Sequence, residues 1–197
     1  MRKVGFLLGL SLLFVTVASA QSDYSKAEVF LGYQYQHVTY DNLGLSGYNT
    51  NGVAGQFVFY PKAWVGIVGD VDLGYVHTLN GAPAGGDMRT YMGGVKAGLE
   101  HGPLHFYGQF LIGVAQLSSD LQQNYFFYTG GPVSSGGQAS SNGYAYSVGG
   151  GIDARVAHHL YVRLGELDYL GTHFNDPFGS RFRQNNFQYK AGIVFRF

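Results

Sequence analysis

Asn186-Phe187-Gln188-Tyr189-Lys190-Ala191-Gly192-Ile193-Val194-Phe195-Arg196-Phe197 closes the chain, and its reading decides the fold. Every second residue back from Phe197 is apolar: Phe195, Ile193, Ala191 and Tyr189. The residues between them include Gln188, Lys190 and Arg196. Successive side chains of an extended strand point to opposite faces, so this stretch is a strand with one apolar and one polar face. As the edge of a soluble sheet it would invite aggregation. An apolar face turned to lipid, with the polar face turned into a barrel lumen, removes that difficulty.

The same alternation recurs along the chain. Seven earlier segments carry it: about Ala27 to Val38, Gly52 to Tyr60, Trp64 to His77, Thr90 to Glu100, Leu104 to Leu117, Tyr144 to Arg155 and Leu160 to Leu170. Small and charged groups share one face, and the opposite face has almost no charge. The seventh segment is less regular. Arg163 and Glu166 fall on opposite faces of a regular strand, and a bulge near Gly165 would turn both inward. Three connections are short, around Pro61-Lys62, His101-Gly102-Pro103 and Ala157-His158-His159. Four are long and polar: Thr39 to Asn51, Thr78 to Arg89, Ser118 to Gly143 and Gly171 to Asn185. Short turns at one end and long loops at the other are the pattern of an outer-membrane barrel. The expected fold is all-β, an eight-stranded antiparallel up-and-down transmembrane barrel with both termini at the short-turn, periplasmic end.

The first twenty residues read differently. Met1-Arg2-Lys3 is basic, the run from Val4 to Val17 carries no charge, and Ala18-Ser19-Ala20 is a small-x-small cleavage site. This order is that of a secretory signal peptide over residues 1–20, with the barrel domain expected over residues 21–197. The run is too short for a spanning helix, which needs about 20 apolar residues. Removing Arg2 and Lys3 leaves 10 of the 12 basic side chains against 12 acidic ones, a balance that gives no electrostatic case for nucleic acid. There is no cysteine, so disulfides do not stabilise the exported domain. Glycine (31 residues), tyrosine (16) and phenylalanine (15) dominate, a mix that disfavours helices and favours strands.

The chain resembles the small eight-stranded outer-membrane barrels of the OmpA/OmpX type. The last strand resembles the terminal strand signal of such proteins, with its C-terminal aromatic, alternating apolar positions and Tyr189 near its start. The resemblance implies that Tyr189, Ile193, Phe195 and Phe197 form an assembly signal read by the barrel assembly machinery. Lys26 through Tyr35 resemble the first strand of the group. Asn51-Gly52, Tyr60-Pro61 and Trp64-Val65-Gly66 before Asp70 resemble the next hairpin. Gly149-Gly150-Gly151-Ile152-Asp153 and Arg163 through Asp168-Tyr169 resemble the sixth and seventh strands. The resemblance implies residence in the bacterial outer membrane. It specifies architecture far better than activity.

The lumen charges are the first candidate site. Asp70, Asp72, Glu100, Asp153, Glu166 and Asp168 face Lys96, Arg163 and Lys190. An eight-stranded barrel is just wide enough for side chains to fill it, which favours a mutually paired plug over a narrow ion path. The seven histidines show no metal-type cluster, and no cofactor is expected. His173, Phe174 and Asn175, with Ser180 nearby, lack the pattern of lipid-modifying barrel enzymes, so the chain is read as a non-enzyme. Aromatic girdles at the two membrane interfaces are expected from Tyr35, Tyr75, Tyr91, Tyr144, Tyr146, Tyr169 and Phe187 at the outer rim. Phe57, Phe59, Trp64, Phe106, Tyr161, Phe195 and Phe197 make the inner one. The Tyr125-Phe126-Phe127-Tyr128 cluster lies in the longest loop, where it either meets an extracellular partner or folds over the barrel mouth. The most consistent role is a structural or surface-interaction protein acting through its long loops. A narrow ion-permeable pore is the alternative, and a lipid-modifying outer-membrane enzyme ranks behind it.

Overall fold

A computed structural model describes residues 24–40, 48–79, 82–118, 141–175 and 181–197. The expected signal peptide, the Tyr125–Tyr128 cluster and Ser180 lie outside these residues. Eight strands follow one another: β1 (Ala27–Tyr40), β2 (Tyr48–Lys62), β3 (Val65–Leu79), β4 (Ala82–His101), β5 (Leu104–Leu117), β6 (Ser141–Arg155), β7 (Leu160–Asn175) and β8 (Arg181–Arg196). Each pairs antiparallel with the next, and β8 returns to β1 to close a barrel. The seam is long, running from Glu28 opposite Arg196 to Tyr40 opposite Gln184. Beyond it, the backbone N–H groups of Lys26 and Ala27 donate to the carbonyl of Phe197, at 2.5 and 3.1 Å. Closure matters because hydrocarbon offers no partner to an open strand edge.

The alternation in the sequence becomes inside and outside. Leu31, Ile67, Leu99, Ile112, Leu167 and Phe187 are all more than half exposed, whereas Asp153, Glu166, Lys96 and Lys190 are fully buried. This is the reverse of a soluble protein. On β8 the outward row runs unbroken by charge from Phe197 to Phe187. Ten residue steps of about 3.3 Å, tilted by about 40°, rise roughly 25 Å, the height of the apolar band of an outer-membrane barrel. Apolar wall and polar lumen together make a barrel seated in lipid.

Three details depart from the sequence reading. Most strands run further toward the long-loop end than their apolar alternation. The segment 78–89, expected as a long loop, is instead strand on both sides, with Thr78 opposite Pro83 and Leu79 opposite Ala82. Trp64 belongs to the β2–β3 turn rather than to β3, though it is exposed at the inner rim as expected. Tyr161 faces the lumen instead of joining the inner girdle. The register shift between Arg163 and Glu166 explains it. Below the shift Tyr161 and Arg163 point inward, and above it Glu166 and Asp168 do. Leu164 remains outside. The shift is held locally: the Tyr189 hydroxyl donates to the Leu164 carbonyl at 3.0 Å. A Cβ on Gly165 would lie 3.0 Å from the Tyr189 ring, so glycine is what lets that ring lie against the bulge. In the β4–β5 turn Gly102 takes φ +61°, a conformation glycine adopts without steric cost.

Candidate functional site

The barrel interior has two storeys. The one nearer the termini is ionic. Six buried carboxylates (Glu28, Asp70, Asp72, Asp153, Glu166, Asp168) meet four buried cations (Lys96, Arg163, Lys190, Arg196), so cations must be shared. Arg163 is the centre. Its Nε donates to Asp153 Oδ1 at 2.9 Å, Nη1 to Glu166 Oε2 at 2.5 Å and Nη2 to Glu28 Oε1 at 3.1 Å. The guanidinium also stacks over the Phe30 ring at 4.1 Å. Its planar fork of donors suits this, since it can serve three carboxylates in one plane.

The other cations complete the set. Lys96 donates to Glu28 Oε1 at 2.9 Å and to Gln56 Oε1 at 2.5 Å, with its ammonium 4.1 Å from the Tyr107 ring centre. Lys190 lies 2.9 Å from Asp70, 3.0 Å from Asp72 and 3.7 Å from Glu166. Arg196 donates from Nε to Glu28 Oε2 at 3.0 Å and from Nη2 to His105 Nδ1 at 2.7 Å. Neutral groups add further hydrogen bonds to the carboxylates. Tyr60 donates to Glu28, Tyr107 to Glu166, Gln109 to Glu166 and Asp168, and Thr90 and Gln188 to Asp72. All eight strands contribute, β2 through Gln56 and β5 through Gln109. A buried charge is tolerable when paired and hydrogen-bonded in this way, and costly otherwise.

The storey above is uncharged. Met88, Ala115, Ala145, Leu170 and Phe174 form an apolar wall from β4 to β7, and Met92 and Leu111 continue it down beside the ionic storey, Met92 standing opposite Asp70. Gln34, Gln36, Thr50, Gln184 and Asn186 face it from β8, β1 and β2. Gln34 donates to Gln36, Gln36 to the sulfur of Met88, and Thr172 to Gln184.

Of the nine lumen charges expected from sequence, the structure brings eight together: Asp70, Asp72, Lys96, Asp153, Arg163, Glu166, Asp168 and Lys190. Glu100 is the correction. It stands one residue from the end of β4, so it lies at the mouth nearer the termini with its side chain 59 % exposed, held by Arg196 at 3.0 Å. Two members went unassigned in the sequence. Glu28 and Arg196 have lumen parity, but nothing marked them as partners until β8 closed on β1 and set them opposite each other. His105, solitary in the sequence, sits 3.6 Å from Asp153 and stacks on Tyr107. Tyr189, Ile193, Phe195 and Phe197 all face outward and are exposed.

The remaining candidates are dispersed. His158 and His159 hydrogen-bond to each other in the β6–β7 turn, and His159 Nδ1 donates to the Arg196 carbonyl at 2.8 Å. His173 packs on Tyr146 outside the barrel, while the acids of its own strand, Glu166 and Asp168, point into the lumen. Among the described residues, no group of three or more His, Cys, Asp or Glu side chains has a metal-holding arrangement.

No protein-family model and no curated protein sequence matches the chain. Solved structures do. Neisserial surface protein A superposes with a TM-score of 0.63 at 10% identity, covering 87% of this chain and 97% of that one. Ail, the attachment invasion locus protein of Yersinia pestis, superposes at 0.52 with 15% identity, covering 87% and 99%. Its complex with the heparin analogue sucrose octasulfate superposes at 0.53 with 14% identity, again covering 87% and 99%. The chain therefore has the fold of the small eight-stranded barrels of bacterial outer membranes, and its apolar wall around an ionic lumen places it in that membrane.

Proposed function

We propose that the protein is a sealed, non-enzymatic barrel whose role is structural or surface-interacting, exercised through the segments that join its strands at the end opposite the termini. The observation that carries this reading is the ionic storey. An open ion path needs a lumen cross-section free of side chains, and here side chains from all eight strands meet across it. The rigid wall then serves as a platform from which connecting segments reach a partner, the usual division of labour between scaffold and loop. We further assign the outward row Tyr189, Ile193, Phe195 and Phe197 as the assembly signal, on the resemblance of this strand to the terminal strand signal of outer-membrane barrels.

The test is conductance. Refolded protein in a planar lipid bilayer is expected to give no stepwise current. Uniform current steps that change size in Lys96→Ala or Asp153→Ala would establish the pore instead.

A further inference from the structure

The outer surface just above the apolar band is uneven in charge. On β8 the outward row continues past Phe187 to Asn185 and Arg183. On β7 it continues past Tyr169 to His173, which stands directly opposite Arg183. Four residues beyond the last girdle aromatic is about 13 Å along the strand, or roughly 10 Å in height at the usual tilt. The headgroup layer adds about 5–8 Å to each side of a hydrocarbon core, so the backbone here lies just above that layer and the length of an arginine side chain lets its guanidinium reach down into it.

Among the other described side chains near this height, no lysine or arginine lacks a carboxylate partner. β2 presents Asn49, bonded to His37 of β1 at 2.6 Å. β5 and β6 present Gln116 and Asn142. On β4, Arg89 is neutralised by Asp87 at 2.5 Å. By contrast, every described acid of β6, β7, β8 and β1 points into the lumen: Glu28, Asp153, Glu166 and Asp168. The β7–β8 corner therefore presents a guanidinium and an imidazole outward, with no outward carboxylate among the described residues of its own and the flanking strands.

Beneath the corner lies an ordered aromatic surface. Phe187 meets Tyr169 edge-on at 6.0 Å, Tyr169 lies 6.3 Å from Tyr146, and Tyr146 lies 6.2 Å from His173. The Tyr169 hydroxyl donates to Asn185 Oδ1 at 2.6 Å, tying that surface to the polar step above it. Amphipathic rings at the interface suit contact with both sugar and acyl chain. A guanidinium above them suits a phosphate, which it can bind through two parallel hydrogen bonds.

We propose that this corner, Arg183 and His173 above Phe187, Tyr169 and Tyr146, docks the phosphorylated headgroup of an outer-leaflet lipid. The proposal rests on the outer-membrane reading. Arg183 engages the phosphate, His173 supplies a second donor, and the rings support the sugar and upper acyl carbons.

Native mass spectrometry of the refolded protein tests it, with diphosphoryl lipid A, the same lipid stripped of both phosphates, and inorganic phosphate as probes. Diphosphoryl lipid A is expected to remain bound and the dephosphorylated lipid to be lost. Arg183→Gln combined with His173→Gln weakens retention about tenfold, a factor worth roughly 1.4 kcal/mol. Arg89→Gln leaves it unchanged. Equal retention of both lipids, or full retention by the double variant, overturns the proposal. Suppression of the adduct by millimolar inorganic phosphate marks a free-anion site and overturns the lipid assignment. Gel mobility without heating, run on the same samples, separates the two levels. A folded band without phosphate preference defeats this proposal alone, whereas loss of the folded band in the wild type defeats the membrane reading beneath it.

Discussion

Arg163→Met is expected to destabilise the barrel by about 3–5 kcal/mol, the cost of breaking a buried ion pair by removing one partner. Methionine fills much of the volume beside Phe30 but donates nothing. Asp153, Glu166 and Glu28 each lose a guanidinium contact. The loss is held within that range because all three keep other partners. Glu28 retains Lys96, Arg196 and Tyr60, Glu166 retains Tyr107 and Gln109, and Asp153 retains Arg196. Arg163→Lys restores the charge but not the three-way fork, so it recovers only part of the stability. Urea unfolding in lipid vesicles measures the shift, with Arg89→Met as the comparison. The Arg89–Asp87 pair is partly solvated, and exposed pairs contribute at most about 1 kcal/mol. Equal shifts for the two variants would show that the lumen network does not hold the barrel together.

Phe110→Arg is the complementary case. Phe110 is 49 % exposed and stands midway along the outward row of β5, between Phe106 and Val114. On a soluble protein, charging such a position changes stability by no more than about 0.5 kcal/mol. Near the midplane of a bilayer it costs about 2–4 kcal/mol, and the cost falls toward the interfaces. The same substitution at Val114, nearer the outer rim, should cost less than at Phe110. Vesicle unfolding of the two variants gives the depth dependence. A flat, small effect at both positions would contradict a lipid-facing wall.

The parts of this structure legible in the sequence are those where lipid is one of the two solvents. Between Phe187 and Phe197 one face meets hydrocarbon and the other meets charge, so period 2 is sharp and the strand can be read residue by residue. Above the apolar band both faces are polar. The contrast vanishes although the strands continue, which is why Thr78 and Leu79, Ala82 to Arg89 and Gly171 to Asn175 read as loop but belong to paired strands. The ion network was legible through parity, with Arg163 and Glu166 joined only by allowing a bulge. Parity could not supply the partners. That Glu28 at the start of β1 meets Lys96, Arg163 and Arg196 follows from closure, a property of all eight strands together. Glu100 failed for the opposite reason: its parity matched the lumen, but its height did not.

The barrel's inverted polarity is directly measurable, because the chain has no cysteine. Single cysteines at positions 105 to 114 of β5, each carrying a nitroxide spin label in lipid vesicles, report collision with oxygen dissolved in lipid and with a water-soluble nickel chelate. A period of two is expected. Labels at 106, 108, 110, 112 and 114 should collide with oxygen and escape the chelate, most strongly near 110, while labels at 105, 107, 109, 111 and 113 should be shielded from lipid. Chelate collisions dominating at the even positions, or no alternation at all, would contradict it.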